Sequence, residues 1–224
     1  MPQEPGPQAD LRPPARQEPP EPPTLGQRLA GLNIYLVGMM GAGKSAVGRP
    51  LAEALGYSFV DADSVLEQAA GRPIPEVFAS EGEAGFRELE TAILDGIASW
   101  HSLVVATGGG VVTRAVNWGH LRQGAVVWLD APEAVLLQRL RADPTPRPLL
   151  AHSDPAARLA ALLQERRPLY GQADLRVDQG GEPPEEVARR VIEALPKILH
   201  PPTAPPQRPI ALVDRDGQRH ASLN

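Results

Sequence analysis

The chain has 224 residues, a formal net charge of −5 and no cysteine. The lack of cysteine excludes disulfides, thiol catalysis and cysteine metal sites, and the negative charge gives no support to a nucleic-acid-binding surface. No apolar run approaches the roughly 20 residues that span a bilayer, and the N-terminus lacks the basic-then-apolar order of a signal peptide, so we expect a cytoplasmic protein without membrane contact.

Proline is concentrated at both ends of the chain. Nine of the 26 prolines lie in the first 23 residues, and six more lie between Pro196 and Pro209. These segments hold few residues that can build a core. We therefore predict one folded domain at 27–199, flanked by disordered tails at 1–26 and 200–224.

Between the tails, five short apolar runs alternate with helical patterns. The predicted strands are Asn33–Val37, Tyr57–Asp61, Ser102–Thr107, Gly124–Asp130 and Asp174–Asp178. The predicted helices are Lys44–Leu55, Glu83–Ser99, Pro132–Arg141, Pro155–Arg167 and Pro183–Leu195. Nearly continuous apolar strands separated by amphipathic helices predict a three-layer α/β/α fold, in which a five-stranded parallel sheet is covered on both faces.

The segment GMMGAGKS, Gly38–Ser45, lies between the first predicted strand and the first predicted helix. It satisfies G-x-x-x-x-G-K-[ST], in which backbone N–H groups and a helix N-terminus surround phosphate oxygens. In this pattern Lys44 reaches the β- and γ-phosphates and Ser45 binds Mg²⁺. Only two of the 22 basic residues are lysines, which favours a working phosphate loop, because a compact ammonium suits a phosphate site. The alternative is a glycine-rich turn without a ligand.

The two lysines also narrow the class of nucleotide-binding protein. A regulatory GTPase normally carries a guanine-reading N-K-x-D motif, and Lys44 and Lys197 lie in GKS and PKI instead. The chain is also small for a motor or a ring ATPase. A small-molecule kinase remains.

Two aspartates follow the second predicted strand. Asp61 and Asp63 are spaced i and i+2, so in extended backbone both carboxylates would point to the same side. At the carboxyl edge of a parallel sheet they would lie beside the phosphate loop. There one would orient a Mg²⁺-bound water and the other would accept a proton from an acceptor hydroxyl. The alternative is a solvated turn or a helix cap.

Two further motifs point to an acceptor pocket. In GFRELE, Arg87 and Glu90 have the spacing of an exposed helical ion pair, which would contribute little. With Phe86 they would equally suit a pocket that presents an apolar wall and a guanidinium to a carboxylate. TGGG, Thr107–Gly110, ends the third strand, and its three glycines allow a ligand to approach the backbone closely.

The segment RADPTPRPLL, 141–150, is rich in proline and arginine, and one interpretation is that it forms most of a lid over a site, at about 141–153. A closing lid excludes water, and Arg147 would stabilise charge on the transferred group. The alternative is a polar surface loop.

The segment ERRPLY, Glu165–Tyr170, is predicted to end a helix before Pro168. Arg166 and Arg167 would then lie at a helix C-terminus, where the helix dipole accounts for one of them.

Taken in this order and at these separations, GMMGAGKS, DAD, FRELE, TGGG, RPLL and RRPLY resemble shikimate kinase over about Leu32–Leu195, and NWGHLRQGAVVWLD resembles its cyanobacterial members. The resemblance implies a P-loop nucleoside-monophosphate-kinase-like fold. It also implies transfer of the γ-phosphoryl group of ATP to the 3-hydroxyl of shikimate, on the route to chorismate and the aromatic amino acids. ATP and shikimate are then the partners, Mg²⁺ is the cofactor, and we expect a monomer.

The resemblance implies a nucleotide site formed by Gly41, Ala42, Gly43, Lys44, Ser45, Ala46, Arg141 and Arg147. In it Lys44 contacts the transferred phosphate, Ser45 binds Mg²⁺, and Asp61 supports the metal through water. Arg147 matches the lid arginine of the family, and Arg141 matches a residue near adenine.

The resemblance implies a shikimate site formed by Asp63, Phe78, Phe86, Arg87, Glu90, Gly108, Gly109, Gly110 and Arg166. Asp63 would bind the substrate hydroxyls and is the candidate base. Arg87 and Arg166 would hold the carboxylate of shikimate, Glu90 would order Arg87, and the three glycines would back the ring.

The chain departs from the family pattern at two places. Ala46 stands where many relatives carry a second hydroxyl, and DQGGEPPEE, 178–186, lacks an arginine that some relatives place against adenine. We expect altered nucleotide affinity and retained activity. Two alternatives stay open: a related kinase that acts on gluconate or a nucleoside monophosphate, and a non-catalytic nucleotide-binding protein.

Overall fold

The computed structural model describes residues 24–143, 145, 147–150 and 153–199. Both predicted tails lie outside these residues, except for 24–26. Within the described part of the chain, no helix is long and apolar enough to cross a membrane.

One parallel sheet forms the centre of the molecule. Its strands are β1 (Ile34–Val37), β2 (Ser58–Asp61), β3 (Leu103–Ala106), β4 (Ala125–Asp130) and β5 (Leu175–Asp178), in the order β2-β3-β1-β4-β5. Each strand lies within a predicted one. Every residue of β1, β3 and β4 is buried, which is why these strands read as unbroken apolar runs instead of alternating ones. The predicted α/β fold is confirmed.

Eight helices accompany the sheet in the described residues. They are α1 (Leu25–Leu29), α2 (Lys44–Leu55), α3 (Ala62–Ala70), α4 (Ile74–Ala98), α5 (Ala115–Leu121), α6 (Glu133–Ala142), α7 (Pro155–Tyr170) and α8 (Pro184–Ala194). Single 3₁₀ turns lie at Val111–Thr113, Pro148–Leu150 and Leu195–Lys197. The predicted bounds of α2 agree with the structure at both ends. At the C-terminal end, Gly56 stops the helix by adopting the left-handed conformation.

Helix α4 is longer than predicted and is broken once. It begins at Ile74, and Gly82 interrupts it with φ 69° and ψ −174°. The predicted start at Glu83 is therefore the start of the second segment. The first segment was not predicted, since Pro73 and Pro75 mark a turn in sequence while proline also suits the first turn of a helix.

Helix α7 does not end before Pro168, so that prediction is wrong. The helix continues to Tyr170, although an internal proline costs about 3 kcal/mol by removing a donor and crowding the preceding turn. Tyr170 is fully buried, its ring stacks on Trp128 at 5.9 Å, and its hydroxyl donates to the Gly109 carbonyl at 2.5 Å. Tertiary contacts beyond the proline thus outweigh the local preference.

Helix α1 begins at Leu25, two residues before the predicted domain boundary at 27. Thr24 caps it in a capping box with Gln27. Arg28 Nη2 donates to the carbonyls of Pro196 and Leu199, at 2.7 and 2.6 Å. The two ends of the described chain are therefore fastened to each other.

The carboxyl ends of three neighbouring strands carry the predicted motifs. β1 leads into the phosphate loop, β2 ends at Asp61, and β3 leads into Thr107–Gly110. Because β2, β3 and β1 are adjacent and parallel, these three motifs meet at one edge of the sheet.

Candidate active site

A cavity of about 690 Å³ opens at this edge of the sheet. Twelve of the predicted site residues line it: Ser45, Asp61, Asp63, Phe78, Phe86, Arg87, Glu90, Gly108, Gly109, Gly110, Arg147 and Arg166. Lys44 lies in the adjoining phosphate loop with Gly41, Ala42, Gly43 and Ala46. Arg141 is exposed and lines a neighbouring cleft with Thr145 and Arg147.

The phosphate loop depends on glycine for its path. Gly38, Gly41 and Gly43 have φ values of 147°, 80° and 81°, which side chains with a Cβ rarely adopt. A Cβ on Gly38 would also lie 2.6 Å from the Leu129 carbonyl oxygen. The loop can therefore turn back toward the N-terminus of α2 and direct backbone N–H groups inward.

Lys44 lies over this loop. Its Nζ donates to the carbonyls of Gly38 at 2.9 Å and Met39 at 3.2 Å. Burial lowers the pKa of Lys44 to about 8, against the opposing attraction of Asp63 and Asp61. The ammonium is thus charged at neutral pH, and its close partners are neutral carbonyl groups. A phosphate in the loop would form stronger hydrogen bonds with it than these carbonyls do.

Asp61 and Asp63 do not lie together on an extended strand, so the predicted geometry of this pair is wrong. Asp61 ends β2 and caps α3 by accepting from the backbone N–H groups of Asp63 and Ser64, whereas Asp63 lies in the first turn of α3. The second carboxylate oxygen of Asp61 accepts from Ser45 Oγ at 2.5 Å. Asp61 is therefore both a helix cap and a neighbour of the phosphate loop.

Two carboxyl groups face each other across Gly108. A Cβ on Gly108 would lie 2.5 Å from Glu90 Oε1 and 2.9 Å from Asp63 Oδ1. Burial raises the pKa of both carboxyl groups, against the attraction of Lys44 for Asp63 and of Arg87 for Glu90. Glycine at 108 is what admits these two side chains to the cavity wall.

The ion pair of Arg87 with Glu90 is buried, so the exposed alternative is wrong. Arg87 is 8% exposed and Glu90 is 5% exposed, and Arg87 Nη1 lies 2.7 Å from Glu90 Oε2. Arg87 Nη2 also reaches Glu83 at 3.2 Å. A Cβ on Gly110 would overlap the guanidinium of Arg87. The pair is therefore part of the cavity wall and is not a surface ion pair.

Arg166 and Arg167 point in different directions. Arg167 is half exposed and forms an ion pair with Asp130 at 3.3 Å. Arg166 is 2% exposed, and its Nη1 donates to the Gly109 carbonyl at 3.3 Å. Its Nε has no hydrogen-bond partner, and no described residue forms an ion pair with it. Arg166 is therefore a buried cation at the cavity wall that no described carboxylate contacts directly, although Glu90 attracts it from a greater distance.

The apolar wall of the cavity comes from α4. The rings of Phe78 and Phe86 lie 4.5 Å apart, and Phe86 packs with Leu66 and Val77 in a small second core. The guanidinium of Arg87 lies 5.1 Å from the Phe86 ring. A ligand here would meet an apolar face beside two guanidinium groups.

The described part of the predicted lid borders the cavity. Thr145, Arg147, Pro148 and Leu149 line it, and Arg147 Nη2 donates to Asp143 at 2.6 Å. The hydroxyl and the backbone N–H of Thr145, together with Arg147, hold the pKa of Asp143 down at about 2. Arg147 is thus held at the cavity edge by an acidic partner from its own segment.

Four residues that the sequence motifs did not mark as site residues hold the site together. Arg114 donates to the Arg87 carbonyl at 2.8 Å, and Tyr170 donates to Gly109. Arg139 and Gln179 donate to the carbonyls of Gly41 and Ala42, at 3.2 and 2.6 Å. Two of them had a usable signal: Tyr170 ends the quoted segment ERRPLY, and Gln179 directly follows a strand at the carboxyl edge of the sheet.

Comparison with known proteins decides the family. The family model described as shikimate kinase matches residues 40–196, which is more than half of the chain. The chain belongs to the shikimate kinase family. The family model begins two residues after Gly38, the first residue of the phosphate loop, and it covers every other motif that carried the resemblance.

Members of the family from cyanobacteria are similar over most of the chain. A shikimate kinase of Synechococcus sp. (strain RCC307) is 60% identical over 181 residues, covering 81% of this chain and 93% of the relative. That of Prochlorococcus marinus (strain MIT 9313) is 56% identical over 185 residues, covering 83% and 96%. The resemblance to cyanobacterial members is confirmed.

Solved structures of shikimate kinases have a fold similar to that of this chain. Shikimate kinase from Acinetobacter baumannii in complex with shikimate has a TM-score of 0.73 at 42% identity and covers 75% of this chain and 95% of that chain. The enzyme from Aquifex aeolicus has a TM-score of 0.63 at 34% identity, with coverages of 74% and 97%. A gluconokinase from Sinorhizobium meliloti, at 24% identity with a TM-score of 0.51 and coverages of 75% and 94%, shares the fold.

Proposed function

We propose that this protein transfers the γ-phosphoryl group of ATP to the 3-hydroxyl of shikimate. The observation that carries the proposal is the buried guanidinium of Arg166, which faces the cavity with a single carbonyl acceptor and no ion-pair partner among the described residues. A buried cation of this kind is expensive unless an anion joins it. The carboxylate of shikimate supplies that anion, and Arg87 provides a second guanidinium.

The remaining groups of the cavity suit the ring of shikimate. Gly108, Gly109 and Gly110 back the ring, since they have no side chains to displace it. Phe78 and Phe86 provide the apolar wall. Glu90 holds Arg87 in its binding position through the 2.7 Å contact. Shikimate, with one carboxylate and several hydroxyls on a compact ring, matches this set.

Lys44 and the loop from Gly41 to Ala46 bind the phosphates of ATP in this proposal. The backbone N–H groups at the start of α2 and the ammonium of Lys44 meet the negative charge of the nucleotide. Arg147 stabilises the charge that spreads over the transferred group when the lid covers the site, and the same closure excludes water. Arg141 is assigned to the adenine side.

Magnesium fits the residues at the mouth of the phosphate loop. Ser45 Oγ and Asp61 Oδ2 lie 2.5 Å apart, and oxygen ligands are the ones that Mg²⁺ prefers. In this proposal the metal is held jointly by these protein oxygens and by phosphate oxygens of the nucleotide. Ser45 would bind it directly and Asp61 through water; its chemistry there is neutralisation of phosphate charge.

Asp63 accepts the proton of the acceptor hydroxyl in this proposal. Its carboxyl group lies at the cavity wall beside Gly108 and is attracted by Lys44. Burial raises its pKa, which makes the carboxylate a stronger base than an exposed aspartate. Asp63 also hydrogen-bonds the hydroxyl before transfer and so positions it.

The proposal includes a monomeric state and a cytoplasmic location. Light scattering of the purified protein tests the state directly. A dimer at micromolar concentration would contradict this part of the proposal and leave the reaction untouched.

The deciding experiment measures ADP release from Mg·ATP with shikimate, gluconate, AMP, CMP or no acceptor. We expect turnover with shikimate alone. Turnover with another acceptor would show that Arg87 and Arg166 are assigned to the wrong anion. ADP release that no acceptor changes would contradict phosphoryl transfer to a small molecule.

A further inference from the structure

Gln179 is a buried polar residue without a role in the reaction proposed above. It directly follows β5 and is 3% exposed. Its backbone N–H donates to the Asp130 carbonyl at the end of β4, at 2.8 Å. The backbone at this position is therefore tied to the sheet, and the side chain projects from a fixed base.

Both ends of the side-chain amide are engaged at the phosphate loop. Nε2 donates to the Ala42 carbonyl at 2.6 Å, and Oε1 accepts from Arg139 Nη1 at 3.1 Å. The same Nη1 lies 3.2 Å from the Gly41 carbonyl. Two successive carbonyl groups of the loop are thus held by side chains from outside it.

The contact with Ala42 also sets the direction of the next N–H group. The peptide that joins Ala42 to Gly43 is planar and trans, so its N–H points away from its C=O. Holding the carbonyl on the outer side turns the Gly43 N–H toward the concave side of the loop, where phosphate oxygens lie in this motif. Glycine at 43 is free to adopt other conformations, so an external contact is needed to select this one.

We propose that Gln179 is a positioning residue for the nucleotide. It holds the Ala42–Gly43 peptide so that the N–H already faces the phosphate when the nucleotide arrives, and it ties the phosphate loop to the end of β5. The inference rests on the proposed function in one respect, namely that the ligand of the loop is a nucleotide phosphate.

The test compares three variants by calorimetric titration with ADP in the absence of shikimate. Gln179→Met keeps the length of the side chain and removes both hydrogen bonds, and we expect ADP to bind about tenfold more weakly, the effect of about one lost hydrogen bond. Gln179→Glu keeps an acceptor for Arg139 and removes the donor to Ala42, and it should lose as much. Gln172→Met is the matched control, because Gln172 is exposed and lies 3.4 Å from Arg122.

A split between the two substrates distinguishes positioning from general damage. We expect the KM for ATP to rise in both Gln179 variants while the KM for shikimate stays within about twofold of the parent. Should Gln179→Met fail to fold, the nearly isosteric Gln179→Glu carries the test. Unchanged ADP binding in the Gln179 variants overturns the inference, and so does full ADP affinity in Gln179→Glu. A parent protein that binds ADP but ignores shikimate would contradict the proposed function and leave this test intact.

Discussion

Lys44 combines a positive charge with partial burial, and this determines how nucleotide affinity depends on pH. Its pKa is lowered to about 8 because burial disfavours the ammonium. A bound phosphate favours the ammonium, so the pKa of Lys44 is higher in the complex than in the free protein. The affinity for a phosphate ligand therefore depends on pH in the range between the pKa of Lys44 in the free protein and its pKa in the complex.

We expect the dissociation constant of ADP to be level up to about pH 8 and to rise above it, by up to about tenfold per pH unit. The free protein loses its ammonium in this range, whereas the second ionisation of phosphate, near pH 6, is already complete. Calorimetry from pH 7 to 9.5 checks the profile. Lys44→Met should bind weakly at every pH; a sloping profile in that variant would assign the titration to another group.

Asp63 is predicted to cost stability in exchange for activity. Because burial raises its pKa, the folded protein binds its proton more tightly than the unfolded chain does. The stability that Asp63 provides is then present at low pH and is lost as pH rises through the raised pKa. The charged carboxylate of Asp63 therefore lowers the free energy of unfolding at neutral pH.

Asp63→Asn should melt about 2–4 °C higher than the parent at pH 8, which corresponds to about 1 kcal/mol. This advantage should shrink as pH falls toward 4, because protonation then neutralises Asp63 in the parent. Under the proposed role of Asp63 as the base, we expect Asp63→Asn to lower kcat by at least about 100-fold. Calorimetry measures the change in melting temperature, and steady-state kinetics measures the change in kcat. Asp95→Asn is the control, because Asp95 is exposed. Near-normal turnover at saturating shikimate would remove the role of base.

Ala46 lies exposed in the first turn of α2, next to the Mg²⁺ ligand proposed at Ser45. A threonine there has room for its hydroxyl and adds one hydrogen bond to a phosphate, worth about 1 kcal/mol. We expect Ala46→Thr to bind ADP about fivefold more tightly with little change in the KM for shikimate. An unchanged dissociation constant would show that the missing hydroxyl has no consequence in this chain.

At the scale of elements, the end of α7 is coupled to the glycine motif after β3. Tyr170 stacks on Trp128 and donates to the Gly109 carbonyl, while Arg166 from the previous turn donates to the same oxygen. Burial raises the pKa of Tyr170 to about 12, so its hydroxyl remains a donor at all working pH values. The helix thus orients both the glycine backbone and the arginine.

Tyr170→Phe removes this donor and keeps the stacking. We expect the KM for shikimate to rise about threefold to tenfold, since the partly buried carbonyl of Gly109 loses about 1 kcal/mol of hydrogen bonding and Arg166 shifts toward it. ADP affinity should stay the same. Initial rates at varied shikimate measure the effect. A larger change in ADP affinity than in the KM for shikimate would contradict this coupling.

The elements differed in how well local patterns predicted them. All five strands were found, because burial on both faces produces apolar runs that do not depend on the neighbouring strand. Helices α1 and α5 were missed, since five and seven residues show little periodicity. Helix α3 was anticipated only through the alternative that an aspartate caps a helix. The end of α7 was misplaced, since Pro168 argues against a helix locally while the burial of Tyr170 decides for it.

At the scale of the whole molecule, hydrogen bonds within the described residues join the two ends of the domain. Arg28 joins α1 to the carbonyls of Pro196 and Leu199, and the family model ends at residue 196. A chain of residues 24–199 should therefore keep kcat and both KM values within about twofold, because the contacts that join its ends and all the residues assigned to the site lie within it. Steady-state kinetics of the shortened protein checks this. A clear loss of activity would give the tails a role in the enzyme.

The site draws on elements from the whole length of the domain. Phosphate loop, paired aspartates and glycine motif follow β1, β2 and β3, which are neighbours in the sheet. Arg87 comes from α4 and Arg166 from α7. The order of the strands, which no local pattern specified, is what brings these segments to one cavity.

The sequence by itself determined the fold class, the phosphate loop and the family, because these follow from short motifs and from apolar runs that are complete within a few residues. The tertiary structure alone decided that Arg166 points inward and Arg167 outward, that the pair of Arg87 with Glu90 is buried, and that Gln179 holds Ala42. Gln179 and Ala42 are 137 residues apart in the chain. Such contacts depend on how the strands are ordered and how helices pack across them, and local periodicity contains no information about either.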